Sequence, residues 1–264
     1  MGRVKPHRRS SLAGAVLACM VLMSGCSDDR PDARDDGLDT RWGYTGDIGP
    51  AKWGSLSEAF ETCRDGREQS PIDIVGSQSR DLPGIEFSYE QSPLSILNNG
   101  HTIEVEYDEG STISVDGRRY GLAQFHCHAP SEHQVDGTRY AAEIHLVHRD
   151  ANDAIAVVGL LVEQGAENQA LASAWEHLPA KENTAEPVEG EAVDAEPLLP
   201  RERSYYSYPG SLTTPPCTEQ VRWLIMTEPI QMSSDQLDAL TEIVQMNNRP
   251  PQPLGERRIL VDRG

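Results

Sequence analysis

Positive charge is scarce in this chain. Of its 264 residues, 23 are Lys or Arg and 42 are Asp or Glu, a formal net charge of −19. The shortage argues against a nucleic-acid partner, because phosphate contacts are made by Lys and Arg. A surplus of one sign makes a soluble, self-repelling surface and does not bear on the fold. Long apolar runs are also missing: residues 10–23 are apolar but shorter than the ~20 residues a membrane-spanning helix needs. No internal repeat is present, and no His-Glu-x-x-His spacing, on which a zinc peptidase helix would rest. Cysteine is sparse, at 5 residues.

The short apolar run has a meaning of its own. Arg3, Lys5, Arg8 and Arg9 precede it, and Ser24-Gly25-Cys26 closes it with small residues. Residues 1–26 read as an export signal. Its end resembles a bacterial lipobox, in which Cys26 becomes the lipid-bearing N-terminus. The plainer alternative is a secretory signal in which Cys26 is incidental. Residues 27–41 are acidic, contain Pro31 and Gly37, and read as a flexible tether. Residues 42–264 then form one domain, long enough to bury a substantial core. The expected location is periplasmic or at the cell surface, with membrane attachment only through the N-terminal lipid.

Trp42, Tyr44 and Trp53 suggest an N-terminal arm packed onto that core. Period-two alternation predicts strands over 85–89, 94–98, 102–107 and 112–115. Asn99-Gly100, Glu109-Gly110 and Asp116-Gly117 supply turns. Residues 154–163 are almost wholly apolar and predict a buried central strand, and 220–228 another. Helices are expected over 56–63 and 167–178, and after the capping box Ser233-x-x-Gln236. Residues 180–197, rich in Glu, Ala and Pro, read as a solvated loop. Many strands with few short helices predict a mainly β (α+β) domain built around one large sheet.

The densest chemistry lies in Gln124-Phe125-His126-Cys127-His128 and Glu143-Ile144-His145-Leu146-Val147-His148. Read as two antiparallel strands joined by a turn with Pro130 and Asp136-Gly137, they place Gln124, His126 and His128 on one face of the first, and Glu143, His145 and Val147 on one face of the second. If the faces coincide, three imidazoles converge. Three histidines suit zinc, which takes tetrahedral nitrogen ligands and keeps a fourth position open. A ligating histidine usually donates its second N–H to an acceptor that fixes the tautomer, and Gln124 and Glu143 are spaced for that. Any one of these histidines alone is more simply a half-buried strand residue; the repeated spacing argues otherwise.

At this point the chain resembles an alpha-class carbonic anhydrase. The matching stretches are Gln69-Ser70-Pro71-Ile72-Asp73-Ile74, Asn98-Asn99-Gly100-His101, the two histidine strands, Ser131-Glu132-His133, Tyr208-Pro209-Gly210-Ser211-Leu212-Thr213-Thr214-Pro215-Pro216 and Gln252-Pro253-Leu254. They run in the family's order from about Trp42 to the C-terminus. The resemblance implies a twisted, mostly antiparallel central sheet with short peripheral helices. It implies Zn2+ on His126, His128 and His145, and reversible hydration of carbon dioxide to bicarbonate by a zinc-bound hydroxide. Thr213 would orient that hydroxide and Glu132 would accept the Thr213 proton. Val147, Val157, Leu212, Thr214 and Trp223 match the substrate pocket. The Asn247 backbone carbonyl would support His128. His101 matches the proton shuttle and Asn99 a residue that orders the waters between; apart from the resemblance, His101 would be an exposed turn histidine. His133 and His148 read as structural. The expected partner is the small-molecule substrate, with the chain a monomer or a dimer.

Cys19 lies in the leader and Cys26 is its lipid site; beyond it the cysteines are Cys63, Cys127 and Cys217. These three allow three single pairings, and spacing does not choose among them. Strand alternation turns Cys127 into the core, and bacterial members of the family carry a bridge at the places of Cys63 and Cys217. Two residues depart from the family pattern. Cys127 replaces an aromatic, and Glu104 stands where an amide is common; a carboxylate there is expected to hold His101 or raise its pKa. The rival readings are a non-catalytic binding lipoprotein on the same fold, whose members have lost a zinc histidine, and a zinc peptidase.

Overall fold

The computed structural model describes residues 40–262. The expected export signal, Cys26 and all but the end of the tether lie outside the described residues.

Seven strands form the middle of the architecture: β1 (Ser92–Asn98), β2 (Ile103–Glu106), β3 (Arg118–His128), β4 (Ala142–Arg149), β5 (Ile155–Gln164), β6 (Tyr205–Ser211) and β7 (Glu219–Met226). They belong to a sheet of 13 strands among the described residues, in the spatial order β1-β2-β3-β4-β5-β7-β6. Neighbours are antiparallel except β5 and β7, which run parallel. The predicted class and the central position of the apolar β5 therefore hold.

Alternation along β3 and β4 decides what the sheet carries on each face. Register pairs Glu143 with His128, His145 with His126 and Val147 with Gln124, so these six side chains share one face. On the other face Phe125, Cys127, Ile144 and Leu146 enter the main core with Val158, Leu160 and Leu224. Upstream on β3 the buried residues are Tyr120 and Leu122, which would fall on the wrong face of a regular strand. Ala123 is the extra residue: β4 pairs Val147 with Gln124 but His148 with Leu122. This bulge shifts the phase by one residue and lets both halves of β3 bury their apolar side chains together. Alternation along β4 turns His148 away from the three histidines, and its Nε2 meets the Tyr89 hydroxyl at 2.8 Å.

A second, smaller apolar cluster covers the histidine face. It contains Ile72, Val147, Val157, Leu161, Tyr208, Trp223 and Ile225, with Leu212 packed against it. The N-terminal arm makes a third cluster, Trp53, Phe60, Cys63 and Cys217, against which Trp42 and Tyr44 pack.

Three expectations need correction. Residues 180–197 are not a solvated loop: Glu186–Val193 is a strand pairing antiparallel with β1. Its Pro187, its glutamates and Gly190 at φ +81° obscure the strand signal, yet an edge strand tolerates them. Helix 167–178 is shorter, a turn of 3-10 helix at Gln169–Leu171 followed by Ala172–Glu176. Residues 56–63 form short turns, Glu58–Phe60 and Thr62–Asp65, instead of one helix. The capping box does open Ser234–Val244, with Ser233 Oγ accepting from the Gln236 N–H at 3.2 Å and Gln236 Oε1 accepting from the Ser233 N–H at 3.2 Å.

Candidate metal centre

The three imidazoles meet where the register puts them. Ring centroids are 5.0 Å apart for His126 and His128, 5.2 Å for His126 and His145, and 4.7 Å for His128 and His145. Their ligand atoms lie within 4.8 Å of one another. Each ring has one nitrogen engaged. His126 Nδ1 lies 2.8 Å from Gln124 Oε1, His128 Nδ1 2.7 Å from the Asn247 carbonyl, and His145 Nε2 2.8 Å from Glu143 Oε1. All three partners are acceptors, so each engaged nitrogen carries the proton. His126 Nε2, His128 Nε2 and His145 Nδ1 remain as the three lone-pair donors.

The donor set fits zinc. His128 and His145 are about 1% exposed, and His128 Nε2 is a buried polar atom without a hydrogen bond among the described residues. Such a group is costly unless something else satisfies it. Burial lowers the pKa of all three rings, and for His126 the neighbouring His128 and His145 add to it. Neutral imidazole is the form that binds metal.

Beneath the histidines the acceptors are themselves fixed. Glu143 Oε2 accepts the backbone N–H groups of Glu132 at 2.9 Å and His133 at 2.8 Å. Its Oε1 also meets His133 Nδ1 at 2.7 Å. Burial pushes the Glu143 carboxyl up, but His133 and His145 together hold it well below the usual carboxylate range. His133 Nε2 reaches the Tyr208 hydroxyl at 2.6 Å, and Tyr208 reaches Ser70 Oγ at 2.8 Å. His133, Glu143 and His145 also form a group that could hold a metal. Hydrogen bonds already account for the facing atoms of that group.

Glu132 is fully buried, 0% exposed, with Oε1 accepting the Arg249 N–H at 2.8 Å and Oε2 3.6 Å from His128 Nε2. Burial pushes its carboxyl up to about 7, against the pull of His145, the Thr213 hydroxyl and the Arg249 N–H. Thr213 is buried on the loop that follows β6, with Leu212 and Thr214 half-buried on either side. Trp223 packs on the His145 ring at 4.8 Å, and its Nε1 donates to the Ser211 carbonyl at 3.0 Å. Val147 pairs with Val157, and Val157 with Trp223, across β4, β5 and β7.

His101 sits apart, half-buried on the turn between β1 and β2. Asn99 Oδ1 accepts the backbone N–H groups of His101 at 3.0 Å and Thr102 at 2.9 Å, which shapes the turn. The His101 ring stacks on Trp42 with centroids 3.6 Å apart. The expectation for Glu104 is corrected here. Glu104 pairs with His126 across β2 and β3, and the carboxylate acting on His101 is Glu182. Burial lowers the His101 pKa, and Glu182 only partly opposes it.

The eukaryotic-type carbonic anhydrase profile matches residues 48–263. The chain belongs to the alpha carbonic anhydrase family. It is 44% identical over 243 residues to a carbonic anhydrase of Neisseria gonorrhoeae, covering 91% of this chain and 94% of that one. It is 40% identical over 220 residues to a carbonic anhydrase of Pectobacterium carotovorum, covering 83% and 90%. Among experimental structures, the alpha carbonic anhydrase of Thermovibrio ammonificans, in complex with the inhibitor sulfanilamide, superposes with a TM-score of 0.81 at 42% identity, covering 84% of this chain and 99% of that one.

Within this family frame, two residues around the centre carry no mark in the sequence. Arg249 is 1% exposed. Besides its N–H to Glu132, its guanidinium donates to Gln69 Oε1 at 2.9 Å, the Ser70 carbonyl at 2.7 Å and the Cys63 carbonyl at 3.0 Å. Gly159 stands opposite His145 on β5. A Cβ there would lie 2.5 Å from Ile225 Cδ1 and 3.3 Å from Glu143 Oε1, so a side chain at this position would displace the end of Ile225 and crowd the buried carboxylate.

Proposed function

We propose that the chain is an exported zinc enzyme that interconverts carbon dioxide and bicarbonate, with zinc on His126, His128 and His145. One observation carries the reading: three neutral imidazoles turn three lone-pair nitrogens to one point, each ring fixed by an acceptor on its other nitrogen. Zinc, when bound, supplies the Lewis acidity that makes water a nucleophile at neutral pH.

The chain's own residues would do the rest. With Oε1 held by Arg249, Glu132 keeps Oε2 for the Thr213 hydroxyl. A Thr213 that donates its proton to Glu132 must accept at its remaining position. It would therefore select a nucleophile whose proton faces Thr213 and whose lone pair faces the substrate. Val147, Val157, Leu212 and Trp223 give an apolar wall suited to carbon dioxide, with Thr214 beside it. The proton released in each cycle would leave by way of His101, on a turn shaped by Asn99. The three ligands being all present weighs against a non-catalytic binding protein.

The test is metal content and carbon dioxide hydration measured on the same preparation. One zinc per chain, with activity lost on chelation and restored by zinc, is expected. A fully zinc-loaded chain that does not accelerate hydration would refute the reading.

Export and attachment belong to the same proposal. A disulfide between Cys63 and Cys217 suits an oxidising compartment, and the pattern of residues 1–26 suits lipidation at Cys26. Stable anchoring needs two or more acyl chains. Cys26→Ala is therefore expected to leave unprocessed precursor or to release soluble protein, as judged by membrane fractionation. Unchanged partitioning of that variant would rule lipidation out.

A further inference from the structure

We propose that Glu182 is a positioning residue for proton export: its carboxylate, lying against Gly100 on the turn at residues 98–101, favours the imidazolium form of the neighbouring His101. The inference deepens the proposed function and rests on the shuttle reading of His101.

Geometry places the carboxylate. Asn183, the next residue, is stitched to β1: its N–H donates to the Asn98 carbonyl at 3.1 Å, its Oδ1 accepts the Asn98 N–H at 2.7 Å, and its Nδ2 donates to the Ile96 carbonyl at 3.3 Å. Asn98 Nδ2 donates to the Pro179 carbonyl at 3.2 Å. The segment around Glu182 is thus tied down on both sides. Gly100 completes the fit. It adopts φ +82°, and a Cβ there would lie 2.9 Å from Glu182 Oε1 and 3.0 Å from Cδ. The carboxylate therefore occupies the space a side chain at position 100 would take, one residue from His101.

Such a charge has work to do. Burial withdraws the His101 ring from water and disfavours its charged form. A shuttle must accept a proton from the site and pass it to buffer, so its imidazolium has to be reachable near neutral pH. The groups facing the ring are Trp42 and Tyr44 from the N-terminal arm and Glu182 from the segment before the edge strand. Arg41 lines the same hollow, and the contribution of residues 243–246 to it is uncharged. Glu182 is then the anionic group in that hollow able to offset the burial. It takes up no proton itself: the proton passes from the site to the His101 ring and from there to solvent.

The experiment uses the zinc-loaded chain with labelled histidine. The His101 titration is followed by NMR in the parent, Glu182→Gln and Glu182→Lys, and kcat and kcat/KM are measured at low buffer. Removing one neighbouring charge in a solvated setting should lower the His101 midpoint by about half a pH unit, and reversing it by about twice that. kcat at low buffer should fall roughly twofold in Glu182→Gln, with kcat/KM unchanged. Glu182 is exposed, so both variants should fold. An unmoved midpoint in Glu182→Lys overturns the proposal. His101→Ala separates the two readings. If it lowers kcat at low buffer, spares kcat/KM and is partly rescued by imidazole, the shuttle stands. If low-buffer kcat is unchanged in an active enzyme, the shuttle reading fails, while the NMR titration still reports whether Glu182 favours the imidazolium form.

Discussion

His145→Ala is expected to remove both the zinc and the hydration activity while leaving the fold in place. The substitution deletes one of three nitrogen donors, and two imidazoles from β3 alone cannot define a tetrahedral site. The loss should exceed the roughly 10–100-fold that follows from altering a ligand's hydrogen-bond partner, so Gln124→Ala, which frees His126 Nδ1, is the milder companion. The fold should survive because Glu143 keeps three of its four contacts: the N–H groups of Glu132 and His133, and the His133 ring. A buried carboxylate with those partners is still satisfied. Metal analysis and hydration rates would be read beside circular dichroism of both variants. A folded His145→Ala protein that kept one zinc per chain and parental activity would sink the ligand assignment, and with it the proposed reaction.

The histidine face was legible because a strand has a strict period of two. Gln124, His126 and His128, and Glu143, His145 and Val147, show their common face in spacing alone, and the structure's register brings the two faces together. The Asn247 support was not legible that way. A backbone carbonyl 119 residues from the ring it meets leaves no local signal, so only the family pattern indicated it. The Ala123 bulge was hidden for a related reason. It appears only when Tyr120 and Leu122 must share a core with Phe125 and Cys127, which a reading begun at Gln124 does not test. The edge strand Glu186–Val193 has the composition of a loop, since its pairing comes from β1 and not from its own propensity. Glu104 illustrates the opposite error. Closeness along the chain and a family departure pointed to it, but its strand neighbour is His126, and the charge beside His101 comes from residue 182. Long-range placement of single charges and of Arg249 follows from the packed structure and cannot be read from spacing.

Breaking the Cys63–Cys217 disulfide should cost stability and activity together. The bridge joins residues 154 apart in sequence, and closing a loop that long is worth on the order of 3–5 kcal/mol in the chain-entropy model. For a domain of this size that corresponds to a melting temperature lower by on the order of 10 °C. The bridge also holds the loop that carries Thr213. Cys217 sits at φ +58°, a left-handed conformation unusual for a residue with a Cβ. Its N–H donates to the Thr214 carbonyl at 2.8 Å, and its own carbonyl accepts from Gln69 Nε2 at 3.1 Å. On the other side, the Cys63 carbonyl is gripped by Arg249, whose N–H fixes Glu132. The sulfur link thus connects the segments that position both members of the Thr213–Glu132 pair. A Cys63→Ser/Cys217→Ser double variant, compared with the oxidised parent by thermal melting and by kcat/KM, should melt lower and lose turnover efficiency even well below its melting temperature. Because His126, His128 and His145 lie on strands β3 and β4, away from the bridge, metal content should remain near one zinc per chain, which separates a blurred Thr213 from a lost metal. Finding both thiols free in the parent isolated without reductant, or melting curves that coincide for parent and variant, would remove the bridge from this account.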